Sequence, residues 1–166
     1  MGILLGLPLL AALAILQSSV VAHLELLNGR PDLVLLAVIA WSLAGRPVEA
    51  MVWGLIGGAF LDTFSGQPMG TTSMALILIA YLASWLEGRF WEAHLFMTFG
   101  VTLSASLLFY LIMLAVLLLA GQPIDWGLAL TRVVLPSTFL NLLLAFPATQ
   151  LASAVQRSLF PQKVAI

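Results

Sequence analysis

The sequence predicts an all-α, polytopic membrane helix bundle with six transmembrane helices, and three observations predict it. The 166 residues are 62% hydrophobic and only 8% charged, against roughly half apolar and about a quarter charged in soluble domains. The apolar residues fall into runs of spanning or near-spanning length, separated by short connections built from Gly, Pro and charged residues. Those runs occupy almost the whole chain, so residues 1–166 read as a single integral membrane domain with no separate soluble part. A net charge of −1 with six scattered basic residues excludes a nucleic-acid surface, which needs a basic patch to neutralise phosphates. The absence of cysteine excludes disulfides, thiolate nucleophiles and Cys-ligated metal centres.

The first span is expected over residues 3–27. It lacks the positive n-region and small-residue cleavage site of a signal peptide, so it reads as a retained helix. Gln17 and Ser18 lie near its middle, where an unpaired amide is costly, and they are expected to face other helices. His23, Glu25, Asn28, Gly29 and Arg30 form a connection. Pro31 suits the first turn of the next helix, where its missing N–H is not needed, and Asp32 sits near that helix's positive end. The second span, residues 32–44, is only about 20 Å long, short of the roughly 30 Å hydrocarbon core. It must draw on flanking residues or thin the bilayer.

Gly45, Arg46 and Pro47 turn the chain into the third span, residues 48–63, where Ala50, Gly54, Gly58 and Asp62 recur every fourth residue. Three small positions and one carboxyl therefore share one helix face. In lipid, small residues at this spacing let helix backbones approach closely. Gly66, Pro68 and Gly70 supply turn chemistry, and a sharp reversal is expected after Phe64. The fourth span covers residues 71–86 and ends at a polar connection containing Glu87, Arg89, Glu92 and His94. The fifth, residues 95–120, is the longest uninterrupted apolar run. The sixth, residues 128–159, carries Pro136 and Pro147, which are expected to kink it. Ser137, Asn141, Ala145, Thr149, Ser153 and Arg157 recur on it at intervals of four, a small and polar stripe that belongs inside a bundle or against a partner helix.

An even number of spans places both termini on one side. Arg46, Arg89, Arg157 and Lys163 share that side, against Arg30 and Arg132 on the other, so the positive-inside rule puts both termini in the cytoplasm. The loop after Asp62 then lies outside. Trp41, Trp53, Trp85, Trp91 and Trp126 fall near span ends and read as an interfacial aromatic belt. The glycine face reads first as packing within the bundle and second as a partner site. Asp62 reads either as a helix-end carboxyl paired with a base such as Arg132 or as a functional contact.

Two stretches carry a family resemblance. The glycine-rich helix from Gly54 reaching Asp62, then Ser65, Gly66, Pro68 and Gly70 before another apolar helix, resembles the signature of the rod shape-determining protein MreD family. Arg30, Pro31 and Asp32, opening the second span, match that family as well, as do the length and the span count. The resemblance implies a non-catalytic bacterial inner-membrane scaffold of the cell-elongation machinery that maintains rod shape. It implies MreC, a single-span protein with a large outer domain, as direct partner. RodA, its penicillin-binding transpeptidase and the cytoskeletal MreB complete the implied assembly, which supports peptidoglycan synthesis. It also implies a fold similar to the substrate-binding subunit of energy-coupling-factor transporters, which makes a small-molecule-binding transporter subunit the alternative function.

Catalysis fits the residues less well. An intramembrane aspartyl protease needs two carboxyls meeting at depth, and only Asp32 and Asp62 fall on a common side, both at helix ends. Neither histidine is mid-span to serve a serine nucleophile. No helix offers an i, i+4 pair of metal ligands, and His23 and His94 are expected on opposite sides. No catalytic residue, cofactor or metal site is expected.

Overall fold

The helices are set by apolar runs ended by glycine and proline. The computed structural model describes residues 2–19, 29–65, 68–86 and 94–159. Within them the chain is helical: α1 Gly2–Ser19, α2 Leu33–Leu43, α3 Pro47–Ser65, α4 Thr71–Leu86 and α5 His94–Leu119. α6 comprises Trp126–Leu128, a π-helical stretch Ala129–Val134 and Leu135–Leu159 in direct succession. Phe96–Leu119 and Trp126–Ser158 are long and apolar enough to cross a membrane, whereas Gly6–Ser19, Leu33–Leu43 and Thr71–Trp85 are shorter apolar helices. His23, Glu25, Gly66, Arg89, Glu92, Trp91 and Lys163 lie outside the described residues.

The helix ends follow local chemistry. Gly45 takes a positive φ of 89° after α2, a conformation that costs glycine nothing, and Pro47 then opens α3 where no donor is needed. Gly121, at φ 73°, closes α5: its N–H reaches the Leu118 carbonyl and that of Gln122 reaches the Leu117 carbonyl. This paired pattern satisfies the last carbonyls of the helix.

α2 is the shortest of the long helices and also the central one, since it contacts α1, α3, α4, α5 and α6. Eight of its 11 residues are buried. Its N-terminal end stops inside the bundle, and the chain reaches it through the non-helical segment Gly29–Asp32. A Cβ on Gly29 would lie 2.5 Å from the backbone of Pro136, so only glycine lets this segment lie directly on α6. Gly29–Asp32 thus precedes α2 as a non-helical approach segment. Its non-helical backbone is tolerated because the Arg30 and Asp32 amides find side-chain acceptors on α6.

The core joins Leu10 and Ala14 of α1, Val34, Val38 and Ile39 of α2, and Leu76 and Ile79 of α4 to Phe109 of α5. Trp41 and Trp53 are 1% and 2% exposed and stack at 4.2 Å, which corrects the reading of both as belt residues. Trp41 lies in the last turn of α2 and Trp53 nearly two turns into α3, both covered by neighbouring helices, and the Trp41 indole N–H donates to Glu49. Trp85 and Trp126 are exposed. In α6 the departure from α-geometry falls ahead of Pro136, where the Leu135 N–H bonds the Leu130 carbonyl five residues back. Pro147 lies within a continuous α-helical stretch.

Candidate functional site

The face of α3 that carries Ala50, Gly54 and Gly58 lies against α4. A Cβ on Gly54 would stand 3.0 Å from the backbone of Leu76, and one on Gly58 would stand 2.5 Å from the Ser73 amide nitrogen. Ala50, one turn earlier, is fully buried. This approach brings Asp62, 3% exposed, beneath the first turn of α4. Its carboxylate accepts from the Gly70 N–H at 2.9 Å and the Thr72 N–H at 2.9 Å. The Ser73 N–H and hydroxyl lie at 3.5 Å.

The carboxylate therefore caps α4 from the preceding helix, meeting both orphan amides and the positive end of the helix dipole. Gly70, at φ 94°, aims its N–H at the carboxylate, and the Pro68 carbonyl accepts from the Thr71 hydroxyl. The expected pairing of Asp62 with Arg132 is corrected. Arg132 lies exposed on the π-helical stretch of α6, and backbone amides take the place of a base.

Asp32 organises a second polar cluster, at the sunken end of α2. Its carboxylate accepts from Gln17 Nε2 at 3.1 Å and from the Tyr110 hydroxyl. Its own N–H donates to Asn141 Oδ1 at 2.8 Å, and Asn141 Nδ2 donates to Ser106 Oγ at 3.1 Å. One residue group earlier, the Arg30 N–H donates to Ser137 Oγ at 3.0 Å. Gln17 Oε1 accepts from the Val34 N–H at 3.1 Å. The backbone donors freed by Gly29–Asp32 and the first turn of α2 are thus met by side chains of α1 and α6, as buried amides require. Ala145, the next small position on the α6 stripe, is buried at 1% exposure. Thr149 and Ser153 are half-buried and Arg157 is exposed.

Sequence reasoning missed Tyr110 and Ser106. A signal was present: Thr98, Thr102, Ser106 and Tyr110 recur every fourth residue through the longest apolar run, and the first three are buried. Thr102 and Thr138 are buried with hydroxyls that have no hydrogen-bond partner, so the α5–α6 seam holds polar atoms beyond those of the Asp32 cluster. Asp32 and Asp62 do not form a dyad, because each carboxylate is engaged by a different set of donors.

Above the Asp32 cluster opens a cleft of about 430 Å³ between α1, α3, α5 and the π-helical stretch of α6. Gln17, Ser18, Arg30, Asp32 and Ser65 are among its polar lining residues. Leu61, Phe64, Met113, Leu114, Leu117 and Val133 form its apolar walls.

No curated protein and no solved structure matches the chain. A family model, rod shape-determining protein MreD, matches residues 1–155. That match takes in the α3–α4 cap, the Asp32 cluster and nearly all of α6, so the helices just described and the family model cover the same chain. The chain therefore belongs to the MreD family, bacterial membrane proteins that take part in determining rod shape.

Proposed function

We propose that this protein is a non-catalytic scaffold of the cell-elongation machinery, crossing the inner membrane six times with both termini in the cytoplasm. Its direct partner is MreC, and with RodA, the penicillin-binding transpeptidase and MreB it supports peptidoglycan synthesis along the cell's length. Family membership supports the role in rod shape. The observation that carries the scaffold reading is the division of labour among side chains. The carboxylates of Asp32 and Asp62 are engaged in holding helices to one another. Meanwhile the long outer faces of α5 and α6 expose Leu103, Leu107 and Leu111 beside Phe139, Leu143 and Phe146. Apolar faces of this kind suit a partner's transmembrane helix, because helix association in lipid comes from packing rather than from burial of apolar surface.

Two experiments test the proposal. Affinity purification from the native membrane in mild detergent recovers MreC with this protein, and substitution of Leu107 and Leu143 by tryptophan lowers recovery without lowering the abundance of the bait. Recovery of the protein alone across several mild detergents overturns it. Reporter fusions place the connection at Gln122 outside and the C-terminus inside, following the four basic residues against two. An external C-terminus overturns the orientation.

A further inference from the structure

The cleft above Asp32 combines features that the scaffold role does not use. Arg30 is its cation, exposed at the rim. Among the described residues no carboxylate lies within ion-pair reach of it; the ion pair found there joins Arg46 to Glu49. Asp32, two residues away, has one oxygen on Gln17 and the other on Tyr110. The backbone that carries Arg30 is held in place, since its N–H is bound to Ser137 and the following Pro31 is buried. A guanidinium at the mouth of a partly apolar cleft is favourably met by an anion.

The size of the cleft narrows the occupant. The cleft, at about 430 Å³, is within the range of small-molecule sites. Its mixed polar and apolar lining matches an amphiphile. We propose that the cleft binds an anionic phospholipid of the surrounding bilayer. Arg30 meets the phosphate, Gln17 and Ser18 flank the head, and Leu114, Leu117 and Val133 hold the first part of an acyl chain.

The test uses the full chain in detergent and in lipid nanodiscs, with phosphatidylglycerol and phosphatidylcholine of identical acyl chains as probes and native mass spectrometry to count retained lipid. A charge-assisted contact of the usual strength makes retention of phosphatidylglycerol exceed that of phosphatidylcholine by about tenfold. Arg30→Gln brings the two lipids level, and Arg30→Lys, which keeps the charge, retains most of the preference. Val133→Trp fills the apolar wall and lowers retention of both lipids. Thermal unfolding without added lipid, equal for wild type and Arg30→Gln, separates lost binding from lost folding. Equal retention of the two lipids by wild type, or a preference untouched by Arg30→Gln, overturns the proposal. A shift in unfolding temperature from inorganic phosphate as large as that from phosphatidylglycerol overturns the lipid as occupant. Unchanged retention in Val133→Trp overturns the placement of the chain.

Discussion

Asp62 shows how a single carboxylate can substitute for a loop's worth of contacts. It accepts from two backbone amides at 2.9 Å, and these donors sit at the start of α4, where the helix itself supplies no acceptor. Asp62→Ala is therefore expected to cost about 1–2 kcal/mol, the upper range for a lost helix cap. Asp62→Asn keeps one acceptor oxygen and is expected to cost less than the alanine. Unfolding midpoints in mixed micelles check both, and an alanine variant as stable as wild type would remove the cap from the account. The two glycines give a second residue-scale contrast. Leu at Gly58 must displace backbone atoms of α4, while a Cβ at Gly100 meets nothing within 4 Å. Gly58→Leu is expected to destabilise by about 1–3 kcal/mol, as overpacking does, and Gly100→Leu to leave membrane abundance unchanged.

At the scale of elements, the N-terminal end of α2 is tied down by its neighbours' side chains. Its approach segment presents N–H groups to Ser137 and Asn141 of α6, and its first turn presents one to Gln17 of α1. Replacing Asn141 by leucine leaves the Asp32 N–H without an acceptor and Ser106 without its donor. A buried unsatisfied donor costs about 1–3 kcal/mol, so Asn141→Leu is expected to lower stability by that order. Ser106→Ala alone is expected to cost less, because it orphans only the Asn141 amide. A double-mutant cycle on Asn141 and Ser106, read from unfolding free energies, shows a non-zero coupling if the hydrogen bond between them forms. Additive effects would show that it does not contribute.

On the scale of the whole molecule, α2 lies inside a ring of longer helices, and two tryptophans report on that arrangement. Trp41 and Trp53 are stacked in the core while Trp85 and Trp126 are exposed by 62% and 53%. In single-tryptophan variants reconstituted with brominated lipids, Trp85 and Trp126 are expected to be quenched strongly and Trp41 and Trp53 weakly. Strong quenching at position 41 would contradict a central α2. The stack also bridges to α1, where a Cβ on Gly6 would run into the Trp53 ring, so the packing of α1, α2 and α3 is shared through one aromatic pair.

Composition and apolar run length, which are properties of the chain itself, were enough to predict an all-α fold with six helices, and the glycine-rich stretch with Arg30–Asp32 pointed to the family that residues 1–155 match. Helix ends were legible for the same reason, since Gly45, Pro47 and Gly121 act locally. The partners of those helices were not. A four-residue spacing marks a face but says nothing of what it meets, so only the fold shows Gly58 on Ser73, Asp62 on the amides of α4 and Asp32 on Tyr110. The tryptophans were misread because nearness to a helix end along the chain does not fix exposure: Trp41 and Trp53 cover each other and are closed over by neighbouring helices. In lipid, moreover, a leucine facing acyl chains and one facing the core are chemically equivalent. Exposed Leu107 of α5 and buried Leu76 of α4 are indistinguishable in the sequence, and only tertiary structure assigns one to the outer face and the other to the core.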